Sequence, residues 1–289
     1  MLGAIIGDIA GSFREFSKDK FPNLPLLPDP GSVPSELRPR YGFTDDSVLT
    51  VATWLALQET PATPESFRSS YYHYGNRYMQ VGYGGRFIRW LQGSYASTAP
   101  YGSCGNGSAM RVSPVGWIAK TPSECADLAR MSAGVTHNHP EGVKGAVFTA
   151  LMIHYYLKGI PNPELVIERD HGLSYGRSLG YDHFDLTCQE TLPLALHVLD
   201  STTNFHDAVK MAVTVPRADS DTLGAIVGSI AEAKYGLPWD LAEKALALTP
   251  VQARPEISRI LSASYGRSMP APLEPTEEQV LQGLWYVPQ

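Results

Sequence analysis

Apolar residues recur along this chain three and four positions apart, and period-two alternation bounded by hairpin turns is scarce. The pattern predicts helices over 2–12, 47–59, 64–78, 123–133, 142–158, 192–199, 205–213, 222–235 and 238–248. It therefore predicts an all-α fold, a single-domain compact multi-helix bundle spanning 1–289. Start signals support several of these, with Thr121-Pro122-Ser123-Glu124 and Asn204 in the positions of N-caps.

Two of the helical stretches are unusual. Gly3, Gly7 and Gly11 fall on one stripe of the first, although each glycine weakens a helix by up to about 1 kcal/mol relative to alanine. A bare stripe lets another backbone come close. Residues 222–233 carry the same tetrapeptide, Leu223-Gly224-Ala225-Ile226 matching Leu2-Gly3-Ala4-Ile5. Two small-faced helices are expected to cross near the middle of the fold. The similarity ends after one helix, so it is no tandem repeat.

Irregular segments separate the helices. Pro22, Pro25, Pro28, Pro30, Pro34 and Pro39 crowd the stretch 18–41, each removing a backbone donor and fixing φ. So long a connection is either a lid or filler. Glycine-rich runs at 81–86 and 101–108 can bring backbone close to a ligand, or can be simple turns. Neither has the spacing of a Walker A loop or a dinucleotide fingerprint.

Composition narrows the classes. The chain has 289 residues, 43% hydrophobic and 18% charged, with a formal net charge of −6, and its Lys and Arg are scattered, which argues against a nucleic-acid footprint. Cys104, Cys125 and Cys188 share no metal-ligand spacing and suit a reducing compartment. The start MLGAIIGDIAG has no basic leader and carries Asp8, and no later apolar run is long enough to cross a bilayer. A soluble cytoplasmic monomer is the expectation, with no membrane partner.

The candidate chemistry lies in two acidic motifs, Thr44-Asp45-Asp46 and Asp219-Ser220-Asp221-Thr222, each at an expected helix start. One carboxylate suffices to cap a helix and to answer its dipole. Two Asp at each start crowd like charges, which is unfavourable unless a cation or water separates them. Asp45, Asp46, Asp219 and Asp221, with the hydroxyls of Thr44 and Thr222, offer only oxygen ligands. That set suits Mg²⁺, Mn²⁺ or Ca²⁺ rather than zinc, and four carboxylates are enough for two ions about 3.5–4 Å apart.

Six ordered blocks then carry a resemblance: GAIIGDIAGSFRE at 3–15, FTDDSVLT at 43–50, GYGGRF at 82–87, GSCGNGSAMRVSP at 102–114, THNHPEGVKGA at 136–146 and ADSDTLGAIVGSIAEA at 218–233. The chain resembles the ADP-ribosylglycohydrolases, the family of dinitrogenase reductase-activating glycohydrolase and the ADP-ribosyl-acceptor hydrolases. The resemblance implies an all-α fold around a binuclear Mg²⁺ or Mn²⁺ centre. It implies a hydrolase cleaving the C1″ glycosidic bond of ADP-ribose on a modified side chain, arginine favoured, in a protein or a small conjugate. Thr44, Asp45, Asp46, Asp219, Asp221 and Thr222 take the place of metal ligands, and Glu15 the place of the glutamate entering the site after the first helix. Glu15, Asp45 and Asp46 are then the catalytic group. Gly82, Gly84, Gly85, Ser103, Cys104, Gly105 and Asn106 match the segments around the diphosphate and adenosine, with Arg86 or Arg111 as candidate helpers, and His137 matches a histidine near the nucleotide. His139 and Glu141 also read as caps for the helix from Gly142. Two other readings stay open: an inactive ADP-ribose-binding or crystallin-like relative, and a hydrolase of serine-linked or another ADP-ribose conjugate.

The sequence departs from the family pattern at three places. Arg217-Ala218 replaces the two glycines usual before the second acidic motif, Cys104 stands where an aromatic residue is common, and the proline-rich stretch after Glu15 is longer than usual. The last of these bears on whether that glutamate can close over the site.

Overall fold

A computed structural model describes residues 1–180 and 184–265, so the end of the expected domain at 289 lies outside the described residues. Among the described residues fourteen α-helices follow one another: α1 (Leu2–Ser12), α2 (Asp45–Ala56), α3 (Pro64–Arg77), α4 (Gly85–Gln92), α5 (Gly107–Met110), α6 (Ser113–Ile118), α7 (Pro122–Gly134), α8 (Pro140–Leu157), α9 (Pro163–His171), α10 (Cys188–Asp200), α11 (Phe205–Thr214), α12 (Ser220–Tyr235), α13 (Trp239–Ala247) and α14 (Arg254–Tyr265). Among the described residues there is no strand, only one isolated bridge between Gly105 and Thr187. The fold is all-α, and the buried apolar side chains form one contiguous core. No helix among the described residues is long and apolar enough to cross a membrane.

The glycine stripe explains the centre of this core. A Cβ on Gly3 would sit 2.2 Å from the carbonyl oxygen of Gly228, on Gly7 1.9 Å from that of Gly224, and on Gly11 2.3 Å from that of Ser220. The two small-faced helices therefore cross as anticipated, backbone against backbone and antiparallel. Every residue of α1 is buried, and so is α12 from Ser220 to Glu232. Around this pair α2, α8, α10, α11 and α13 supply the surrounding apolar faces.

Capping accounts for several starts. Thr121 accepts from the Glu124 amide, Asn204 from the Asp207 amide and His139 from the Glu141 amide, so His139 does cap α8. Five predicted helices begin earlier than expected. The α2 and α12 starts move to Asp45 and Ser220 and those of α7 and α8 to Pro122 and Pro140, because first-turn carboxylates and prolines belong to the helix rather than to the loop before it, while α10 begins at Cys188 and carries Pro193 in its interior. Helices α4, α5, α6, α9 and α14 were not predicted. Only Pro163 and Ile167 of α9 are buried, which leaves no stripe to detect, whereas α14 buries Ile257, Ile260 and Leu261 at helical spacing and was legible in principle.

The proline-rich stretch is folded in. It contains short 3₁₀ turns at Pro30–Ser32 and Arg38–Arg40 and buries Leu26, Leu27 and Val33. The fully buried Arg14 organises it, donating to the carbonyls of Ala10, Lys20, Pro25 and Leu26.

Candidate functional site

Because α1 and α12 run antiparallel, the end of α1 lies beside the start of α12. The chain leaves α1 through a tight turn, with the Glu15 amide donating to the Gly11 carbonyl at 3.0 Å. Oxygen atoms of Glu15, Asp219 and Asp221 then lie within 4.8 Å of one another, and so do those of Asp8, Asp46 and Asp221. Both acidic motifs stand at helix N-termini, Thr44 as the N-cap of α2 and Asp219 as that of α12. The Thr222 hydroxyl donates to Asp46 Oδ2 at 3.3 Å, joining the two starts directly.

Asp8 was not singled out as a site residue, yet it holds the first motif in place. It is fully buried on α1 and accepts from the Thr44 amide (3.0 Å), the Thr44 hydroxyl (2.6 Å), the Ser47 amide (3.1 Å) and the Ser47 hydroxyl. With its proton committed to Asp8, the Thr44 hydroxyl keeps lone pairs for another partner. The available signal was one carboxylate inside an otherwise apolar and small-residue helix.

Crowded carboxylates set the electrostatics. Burial, then Asp8 and Asp219, push Asp45 up to about 8. Burial, then Asp219 and Asp45, push Glu15 to about 8. Asp46 and Asp221 are driven well above the usual carboxylate range, again by burial first and neighbouring aspartates second. Asp8 rises to about 6 through burial despite four donors. All five shifts have the cause that a cation would remove, negative charge confined away from water. Asp46 Oδ1 is moreover buried with no hydrogen-bond partner. An orphaned carboxylate oxygen among oxygen-only ligands fits a hard divalent ion.

These residues form one wall of a cavity of ≈ 590 Å³, within the usual range for small-molecule sites. Glu15, Thr44, Asp45, Asp46, Asp219, Asp221 and Thr222 all line it. The same cavity is also lined by Gly82, Gly84 and Gly85, Ser103, Gly105 and Asn106, and His137. Gly82, at φ +101°, would bring a Cβ 3.6 Å from Asp45 Oδ1, so a side chain there meets both strain and the acidic wall. Gly84 and Gly85 are the N-cap and first residue of α4 rather than part of a free loop. Asn106 is buried and donates to Asp219 Oδ2 at 2.8 Å and Thr191 Oγ1 at 3.2 Å, tying the second glycine-rich run to the acidic start of α12. Cys104 is not among the lining residues, and its carbonyl accepts from the Cys188 amide of α10 at 3.1 Å.

His137 is buried, and burial followed by the Arg111 charge lowers its pKa far enough to keep the ring neutral. Its Nδ1 is 2.8 Å from the Thr136 hydroxyl, which also accepts from Arg111 at 2.8 Å. Arg111 lies fully buried over the Tyr71 ring with Nε and Nη1 unpaired, on the cavity wall. The mouth carries Phe16, with Arg40 stacked on its ring at 4.4 Å, and Leu186, none of which was singled out in the sequence. Pro39 and Arg40 bring the end of the proline-rich stretch to this mouth.

The ADP-ribosylglycohydrolase family model matches residues 1–263. The chain belongs to this family. Among curated ADP-ribosylglycohydrolase relatives, human ADP-ribosylhydrolase ARH3 is 29% identical over 184 residues, 57% of this chain and 50% of its own length. The ADP-ribosyl-[dinitrogen reductase] glycohydrolase of Rhodospirillum rubrum is 26% identical over 62% of each chain. The ADP-ribosylarginine hydrolase Tri1 of Pseudomonas putida is 27% identical, over 62% of this chain and 53% of its own. The aligned region thus spans about half to three fifths of these relatives' length. A solved ADP-ribosylglycohydrolase-related protein complex superposes with a TM-score of 0.71 over 93% of this chain and 96% of that one, at 24% identity, which bears on the fold alone.

Proposed function

We propose that this chain is a metal-dependent hydrolase that releases ADP-ribose from a modified acceptor side chain by cleaving the C1″ glycosidic bond. The observation that carries the reading is the convergence of Glu15 and both acidic helix starts on one cavity that glycine-rich backbone also lines. Thr44, Asp45, Asp46, Asp219, Asp221 and Thr222 would hold two divalent ions, Mg²⁺ or Mn²⁺, as their oxygen-only chemistry favours. The chemistry such ions supply when bound is Lewis acidity towards sugar and water oxygens.

The chain's own groups do the rest. Cleavage at C1″ passes through an oxocarbenium-like state that nearby carboxylates stabilise. Glu15 reaches the acidic wall from a loop and is the group placed to hold and return a proton as general acid or base. Backbone amides around Gly84, Gly85, Gly105 and Gly107, with Arg86 and Arg111, would meet the diphosphate, which lets an acidic protein take an anionic ligand. Neutral His137 offers a hydrogen-bonding edge to the nucleotide without adding charge. Arginine-linked ADP-ribose is the favoured substrate, since one relative is named an ADP-ribosylarginine hydrolase.

Asp45→Asn and Asp221→Asn test the ligand set. Each should retain the helical circular-dichroism spectrum and lose divalent-dependent ADP-ribose release by a factor of about 10² or more. Full activity in either variant would contradict the reading.

A further inference from the structure

Among the described residues two non-glycine positions adopt positive φ, Phe21 at +48° and Arg217 at +61°. Such backbone disfavours any residue with a Cβ and persists only where the surroundings enforce it. The two are far apart in sequence, yet they flank a single contact. Phe21 follows Lys20, and Arg217 precedes Ala218, whose carbonyl accepts from the Lys20 ammonium at 3.2 Å.

Lys20 is only 5% exposed. Its Nζ lies 2.9 Å from the Glu15 carbonyl, 3.0 Å from the Arg14 carbonyl and 3.0 Å from the Ser220 hydroxyl, besides the Ala218 carbonyl. Four oxygens surround three N–H groups, so the buried ammonium has the partners it requires. The turn that sends it inward is built for the purpose. The Phe21 amide donates to Asp19 Oδ1 at 3.0 Å, the Phe21 ring packs against Phe13, and Arg14 Nε donates to the Lys20 carbonyl at 3.1 Å. On the other side, Arg217 keeps the left-handed backbone that a glycine would adopt freely, and this aims the Ala218 carbonyl at Lys20.

We propose that Lys20 is a positioning residue whose ammonium clamps the backbone of Glu15 to the start of α12, fixing the Glu15 carboxyl beside Asp219 and Asp221. The clamp joins two of the three places where the sequence reads as departing from its family pattern, the stretch after Glu15 and the Arg217-Ala218 pair. In this chain the glutamate loop is held by an internal cation, and the stretch from Asp19 onward exists in part to deliver it. The kinetic consequence rests on the proposed role of Glu15, whereas the mechanical consequence does not.

The test compares the full chain with Lys20→Ala, and with Lys20→Met in case the smaller residue fails to fold. In EDTA, hydrogen exchange at amides 14–20 and 218–221 should quicken together by about tenfold or more, with α7 and α8 unchanged. With divalent ions and ADP-ribosyl-arginine, kcat should fall about tenfold while KM stays within about threefold. Propylammonium, which replaces the deleted ammonium and its three carbons, should restore turnover to Lys20→Ala, and neutral propanol should not. Unchanged exchange at both segments, or faster exchange throughout the protein, would overturn the clamp, as would full turnover in the variants or rescue by propanol. If the unaltered chain turns over no ADP-ribosyl substrate, the proposed function falls and the exchange measurement alone decides the clamp.

Discussion

Glu15 and Asp8 both occupy the first fifteen residues, and their different surroundings give them different work. Asp8 is spent on four donors from Thr44 and Ser47 and aims the first acidic motif. Glu15 is only half-buried, lines the cavity, and carries a pKa raised to about 8 by burial and by Asp219 and Asp45. Replacing it tests that division. Glu15→Gln should lower kcat by about 10²-fold or more, the scale of general acid–base catalysis, while ADP-ribose affinity measured by titration calorimetry changes by less than about threefold. Lost affinity with an intact rate would assign it to binding instead. At this scale the two acidic helix starts were legible because a cap uses one carboxylate and each start has two. Asp8 and Lys20 were not legible as site residues, since their partners, backbone amides and carbonyls together with the hydroxyls of Thr44, Ser47 and Ser220, are brought near only by the tertiary structure. Cys104 was named from its neighbours in a matching run, and adjacency in a loop does not determine which side chains face a cavity.

The α1 and α12 pair fixes how the acidic starts meet. Helix propensity alone says that Gly7→Ala should stabilise α1 by up to about 1 kcal/mol. Packing says the opposite, because the new Cβ would fall 1.9 Å from the Gly224 carbonyl, where backbone must move. Overpacking of that kind costs about 1–3 kcal/mol or more, so packing wins and the variant should unfold at lower denaturant concentration. Gly31→Ala, where nothing lies within 4 Å of the added atom, should stay within about 0.5 kcal/mol of the parent. Equal stability of the two variants would mean that the close helix crossing is not what holds the centre together. Elements with a periodic apolar face or a capping residue were readable in advance, down to the crossing of the two echoing helices. Very short helices such as α5 and α6 were not, whereas α4, which buries Phe87, Trp90 and Leu91 at helical spacing, was legible in principle like α14. Helices α5 and α6, at four and six residues, are too short to display a period.

At the scale of the whole molecule, helices with one shared core bring six sequence blocks to a single cavity, and the chemistry follows from what meets there. The all-α fold was legible from periodicity, and the oxygen-only chemistry of the acidic cluster was legible from residue type. Convergence itself was not, because Asp46 and Asp221 are far apart in the chain and only the tertiary packing of α1, α2 and α12 brings them together. The mouth is lined by Phe16, Arg40 and Leu186, which stand on segments whose placement no local pattern dictates. The central claim is that this cavity hydrolyses an ADP-ribosyl bond with the help of divalent ions. The most direct measurement quantifies free ADP-ribose released from arginine-, serine- and nucleobase-linked ADP-ribose in Mg²⁺, in Mn²⁺ and in EDTA. Release from the arginine-linked compound in Mg²⁺ or Mn²⁺, abolished by EDTA, is the predicted result. No release from any of the three with either ion, or release undiminished by EDTA, would contradict it.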